Sequence, residues 1–295
     1  MTLPREVIPG RFYMVTRRCT QRLFLLRPDE ETNNAFLYCL AEAAQRSGIE
    51  ILLACAMSNH HHIVVFDRDG TVPLFTERFH RLLAKCQNAW RGRWENLWSS
   101  EQVCVVHLVE PADVMHKLVY VATNPVKDRL VEKVRHWPGV NGLAALLGGR
   151  TLHATRPRHF FRPTGPMPAT VTLHLELPRE LGEPPQLLAE LRDRVAAVEA
   201  AAAAERMRTG ARVLGRRTIL RQSWCSCPAS LEPRRNLRPR IAARSQWARI
   251  EAIRRNREFL ATYRDARARW LSGAEVPFPV GTYWLRRFAH VPLAS

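Results

Sequence analysis

An apolar run and a second strand segment separated by only two residues constrain this chain most: Ile49 to Met57 (IEILLACAM), then Ser58-Asn59, then His60 to Phe66 (HHHIVVF), polar at its start and apolar from Ile63. Runs of that length and apolarity are buried strands, and so short a connection makes them a hairpin. Around this hairpin the hydrophobic period switches in a regular order. Phe12 to Arg18 (FYMVTRR) alternates apolar and polar as a strand does. Pro28-Asp29-Glu30-Glu31 then supplies the acidic residues of a helix N-terminus, and Ser47-Gly48 its stop. Thr71-Val72-Pro73 opens a second helix with Leu74, Phe75, Phe79, Leu82, Leu83 and Cys86 on one face, ending near Arg91-Gly92. Gln102 to Val109 reads as a fourth strand. Glu110-Pro111-Ala112-Asp113 starts a third helix carrying Val114, Leu118 and Tyr120, broken or bent at Pro125. The order β-α-β-β-α-β-α predicts an α+β fold: a ferredoxin-like, split-βαβ antiparallel sheet with helices packed on one face.

Composition changes after this unit. Residues 1–145 form the first predicted domain and 146–185 a connector rich in Pro and Gly, with one alternating strand from Val171 to Leu177. Residues 186–295 form a mostly helical, Arg-rich extension, opened by the stripe Leu187, Leu188, Leu191, Val195 and Val198. Between Glu205 and Trp270 there are eighteen Arg, five acidic residues and no Lys. The whole chain has 45 Lys plus Arg against 27 Asp plus Glu, a formal charge of +18, which points to a polyanionic partner. No apolar stretch is long enough to span a bilayer, and MTLPREVIPGRF lacks the apolar run of a signal peptide. A cytoplasmic protein is expected. The seven cysteines are scattered, most of them in apolar runs where reduced Cys packs as a small core residue, so no disulfide framework is expected.

Two local patterns could carry chemistry. In Met57-Ser58-Asn59-His60-His61-His62, strand alternation projects His60 and His62 on one face and His61 on the other, and paired imidazoles form half of a metal site. In Tyr120-Val121-Ala122-Thr123-Asn124-Pro125-Val126, the four-residue spacing stacks Tyr120 and Asn124 one turn apart, roughly 5 to 6 Å between Cβ atoms. Taken separately, each pattern also reads as ordinary structure: a polar strand end, and a helix-terminal Asn before a Pro. His80, His107 and His116 fall on core patterns and read as structural, and Cys225-Ser226-Cys227 as a surface loop.

Together the patterns resemble a known family. An N-H-x-H strand, then Leu97-Trp98, a strand, and a Y-x-x-x-N-P-V helix is the layout of the HUH single-strand DNA transposases, and is most similar to REP-associated tyrosine transposases. The resemblance runs from Pro9-Gly10 through Val126. It implies His60, His62 and Asn124 as ligands of Mg²⁺ or Mn²⁺, and Tyr120 as the nucleophile that cleaves and rejoins single-stranded or hairpin DNA through a 5′-phosphotyrosine. One position departs from the pattern: His61 stands where the family usually has a bulky apolar residue. Rival readings are a silent DNA-binding protein of the same fold and a metal-dependent nuclease using water. DNA contacts are expected from Arg17, Arg18, Arg91, Arg93 and Trp94, where Arg and aromatics interleave, and from Arg216, Arg217, Arg234, Arg235, Arg238 and Arg240 of the extension. The sequence leaves the oligomeric state open between monomer and homodimer, and the resemblance implies a bacterial, nucleoid-associated protein.

Overall fold

A computed structural model describes residues 4–230 and 239–294. β1 (Arg11–Arg18), β2 (Glu50–Ala56), β3 (His60–Asp67) and β4 (Cys104–Leu108) pair antiparallel in the order β2-β3-β1-β4. That is the split-βαβ order. The hairpin lies where the apolar runs place it, with Met57 N donating to His60 O at 2.8 Å across the turn.

α1 (Glu30–Ser47) begins at Asp29, whose carboxylate accepts from Thr32 N at 2.8 Å, and ends at Gly48 with φ +66°. A left-handed residue there is why glycine stops the helix. α2 (Val72–Arg91) follows β3, and buried Asp67 holds its first turn by accepting from Thr71 N and Val72 N. α1 and α2 lie together on one face of the sheet, Phe36 edge-on to Phe79, with His61 of β3 against both rings.

The additional helix, α3 (Pro111–Lys127), covers the opposite face: His62, the strand neighbour of His61, meets Tyr120 of α3. The expected packing of all helices on one face is therefore corrected for α3; the ground beside His61 on the other face is taken by Phe36, Phe79 and Trp98. A capping box between Glu110 and Asp113 starts α3. Pro125 sits in its last turn, so the helix continues to Lys127 and Asn124 keeps helical geometry.

After α3 the chain runs along the outer edge of β2. Ala56 N donates to Val140 O and Gly142 N to Ala54 O, both at 2.9 Å, so that edge is not open for pairing. Past the short α4 (Leu143–Leu147), the Pro- and Gly-rich stretch forms a hairpin of β5 (Leu152–Thr155) and β6 (Thr170–Leu173). Tyr38 and Gln45 of α1 bind it through the carbonyls of Pro168 and Thr172. The strand is shorter than the Val171–Leu177 alternation, yet Leu175 and Leu177 continue inward and are buried.

α5 (Pro184–Thr209) buries Leu191 and Val195, and it packs along α3. α6 (Arg216–Arg221) follows. The tail then adds a strand that the Arg-rich composition hides: β7 (Ile241–Ala242) pairs parallel with β4, making the sheet five-stranded and mixed rather than purely antiparallel. α7 (Gln246–Leu271) and α8 (Trp284–Ala289) complete the extension, with a small separate core of Ala266, Val276, Phe278 and Val291. The main core, among the described residues, reaches from Val7 to Ile219. No described helix is long and apolar enough to cross a membrane.

Candidate active site

β1, β3 and α3 bring the candidate residues together. Register places Thr16 opposite His62 and Arg18 opposite His60, so these four side chains share the α3 face. The His60 and His62 rings stand 4.9 Å apart between centroids at 78°, and the His62 ring lies 5.2 Å from that of Tyr120. His62 is 6% exposed, and its Nδ1 is engaged by the Thr16 hydroxyl at 2.8 Å. Its other nitrogen, Nε2, is buried with no hydrogen-bond partner among the described residues, and so is Oδ1 of Asn124. His60 Nδ1 is engaged by Asn59 Oδ1 at 2.7 Å.

His60, Tyr120 and Asn124 line one cleft of about 610 Å³. Arg18, Arg22 and Asp128 line it too, and the extension contributes a wall that includes Leu214, Ile219 and Gln222. Burial, followed by the charges of His60 and His61, holds the His62 imidazole well below its ordinary pKa, so it is neutral near pH 7. Burial raises the Tyr120 phenol and Asp128 raises it further, while Asn124 and Arg18 act in the opposite direction. Lys117 and Lys127 each place an ammonium 5.5 Å from the Tyr120 ring centroid.

No family model matches the chain, and neither does any curated protein. Among solved structures, it is similar to one of a REP-associated tyrosine transposase bound to a REP hairpin, at 18% identity over 55% of this chain and 88% of that one, with a TM-score of 0.42. A candidate transposase from Deinococcus radiodurans is similar at 16% identity over 36% of this chain and 85% of that one, with a TM-score of 0.28. Likenesses this remote leave the functional reading to the side chains.

The residues expected to contact DNA separate into three groups. Arg18 lines the cleft, Arg216 and Arg217 are exposed on α6 beside it, and Trp94 is 99% exposed. Arg93 stands over the Trp224 ring at 6.0 Å. Three others are corrected. Arg17 turns to the opposite sheet face and stacks on Trp98 at 5.3 Å, because strand alternation separates it from Arg18. Arg91 is buried against Asp29 at 2.6 Å and Thr32 at 2.8 Å, where it fastens the end of α2 to the start of α1. Arg240 donates through one Nη to Pro4 O at 2.8 Å beside β7, on the sheet face away from the cleft, so it is no contact for a strand lying in the cleft. Arg234, Arg235 and Arg238 lie outside the described residues.

Sequence reasoning did not single out Thr16, Asn59, Asp128, Lys117 or Lys127. Lys117 and Lys127 stand at i−3 and i+7 from Tyr120, a spacing that was available to read. Thr16 becomes visible only with the cross-strand register. No group of three or more His, Cys, Asp or Glu placed to hold a metal occurs among the described residues. The candidate set has two such residues plus an amide.

Proposed function

We propose that this protein is a metal-dependent single-strand DNA endonuclease and strand-joining enzyme that uses Tyr120 as its nucleophile. The observation that carries this reading is the pair of buried, unpartnered polar atoms, His62 Nε2, an acceptor when Nδ1 carries the proton toward Thr16, and Asn124 Oδ1, with the His62 ring beside those of His60 and Tyr120. Leaving such atoms unpaired costs about 1–3 kcal/mol each, and a divalent cation is a partner both can share. Two imidazoles and an amide oxygen fit that ion, Mg²⁺ or Mn²⁺ by resemblance and several transition metals by ligand type. When bound, it supplies Lewis-acid polarisation of a non-bridging phosphate oxygen.

The chain's own residues do the rest. Thr16 and Asn59 fix the ring orientations of His62 and His60, and the neutral state of His62 keeps its lone pair available. α3 holds Tyr120 and Asn124 on one face, so the phenol and the ligand amide are presented to the same cleft. Arg18, Lys117 and Lys127 add positive charge for the strand. Tyr120 Oη attacks phosphorus as it gives up its phenolic proton, the bond to the 3′ oxygen breaks, and that oxygen takes up a proton to become a 3′-hydroxyl, so the proton count is unchanged. The strand's 5′ phosphate is left on tyrosine. Because the phosphodiester energy stays in that link, a second 3′-hydroxyl reverses the step and joins strands.

The test is incubation with labelled hairpin-bearing single strands and Mn²⁺, followed by denaturing gel electrophoresis. An SDS-resistant adduct is expected with wild type and none with Tyr120→Phe, whose DNA affinity stays near wild type. Cleavage without an adduct would replace this reading with a water-using nuclease, and binding without cleavage would leave a silent DNA-binding protein.

A further inference from the structure

On the sheet face opposite the cleft, the N-terminal segment, β1, β4, β7 and α7 enclose a cavity of about 40 Å³. That is room for roughly three water-sized spheres, or one tetrahedral oxyanion. Its wall carries four guanidiniums, Arg5, Arg11, Arg240 and Arg255, against a single carboxylate, Glu6. Glu6 is already occupied, by Arg11 at 2.7 Å and Arg255 at 3.0 Å. Arg240 is bound to the Pro4 carbonyl. Arg5 makes no hydrogen bond or ion pair with any described residue, and burial followed by the adjacent Arg240 charge holds its guanidinium below the ordinary pKa. Tyr13, 1% exposed, lines the same space, and its buried hydroxyl stands near the Arg11 guanidinium, itself a donor, with no acceptor among the described residues. Burial pushes that phenol up to about 12, so it keeps its proton and remains a donor.

Like charges held together in a half-buried space are destabilising unless something negative joins them, and a buried hydroxyl donor without an acceptor adds to the cost. We propose that this cavity is a binding site for one phosphate-type oxyanion, held by Arg5, Tyr13 and Arg240. The chemistry is shared by a phosphodiester of a DNA strand and by free inorganic phosphate. The site is separate from Tyr120 and stands whether or not the cleft cuts DNA.

The test uses the full chain and inorganic phosphate. Thermal unfolding is followed while phosphate replaces chloride at matched ionic strength. Wild type is expected to melt higher in phosphate, with an apparent affinity that falls roughly tenfold or more in Arg5→Gln, since a charged hydrogen bond is removed. Tyr13→Phe is expected to reduce the phosphate shift as well. Arg5→Gln in chloride should be no less stable than wild type, because Arg5 has no partner to lose. A phosphate shift that is absent in wild type, or unchanged in both Arg5→Gln and Tyr13→Phe, overturns the proposal. Salt titrations of single-strand DNA binding separate the two sources. If a strand phosphate occupies the site, the slope of log K against log salt drops by about 0.7 in Arg5→Gln. If the slope stays the same while the phosphate shift disappears, the ligand is the free anion.

Discussion

His61 stands between the two candidate ligands but belongs to the other side of the sheet. Its Nε2 lies 2.9 Å from His80 Nε2, and both residues are buried under Phe36, Phe79 and Trp98. One ring must donate and the other accept, so the pair works only while at least one imidazole is neutral. Burial holds both well below the ordinary histidine range. Their folded pKa values are depressed, so the unfolded chain binds more protons below about pH 6.5, and stability falls as pH drops through that value. Chemical denaturation is expected to show a loss approaching about 1.4 kcal/mol per pH unit for each ring between pH 6.5 and 5. A His61→Val/His80→Leu double variant should reduce that slope without abolishing it, since buried His62 and His107 are also held low; an unchanged slope would remove the pair as a source. His61→Val alone strands His80 Nε2 and should cost about 1–3 kcal/mol in a denaturant melt, whereas an apolar residue at 61 with an apolar residue at 80 should be tolerated. Strand alternation alone reads the face of His61. Its partner is not legible, because docking of α2 sets it across 19 residues.

At the scale of elements, the site depends on α3 staying where α5 holds it. Leu191 and Val195 of α5 are buried, and α3 turns Val121, Ala122 and Val126 inward while offering Tyr120 to the cleft. Leu191→Ala should cost about 2–5 kcal/mol, read as a lowered melting temperature. Adduct formation should weaken as well, since the Tyr120 helix loses its backing. Undiminished activity at a lowered melting temperature would show that α3 is positioned without α5. The helices, the hairpin and the split-βαβ order were legible because period and turn residues report them locally. β7 was not, since two residues carry no period, and its pairing is made by backbone donors, His107 N to Arg240 O and Val109 N to Ala242 O. The side of the sheet taken by α3 was equally hidden: a helix's own pattern says that one face is buried, not against which surface.

For the whole molecule, charge and core divide at different places along the chain. The main core extends into α5 and α6, so truncation near residue 180 would strip α3 of its cover and confuse loss of fold with loss of binding. A cut before α7 is cleaner. Residues 246–295 hold nine Arg and four acidic residues, and their apolar cluster of Ala266, Val276, Phe278 and Val291 is separate from the main core. Removing them takes away Arg255 and its pairing with Glu6, but leaves β7, α6 and every residue lining the cleft. If the tail arginines meet phosphates, single-strand DNA affinity should fall and the salt slope should shrink by about 0.7 for each arginine–phosphate pair removed. Metal-dependent adduct formation per bound strand should remain, since Tyr120, His60, His62 and Asn124 keep their supports. A slope identical to that of the full chain would mean these arginines are only solvated. A truncated protein that still binds with the full slope but no longer forms the adduct would place the tail's contribution in the cleft rather than on the strand.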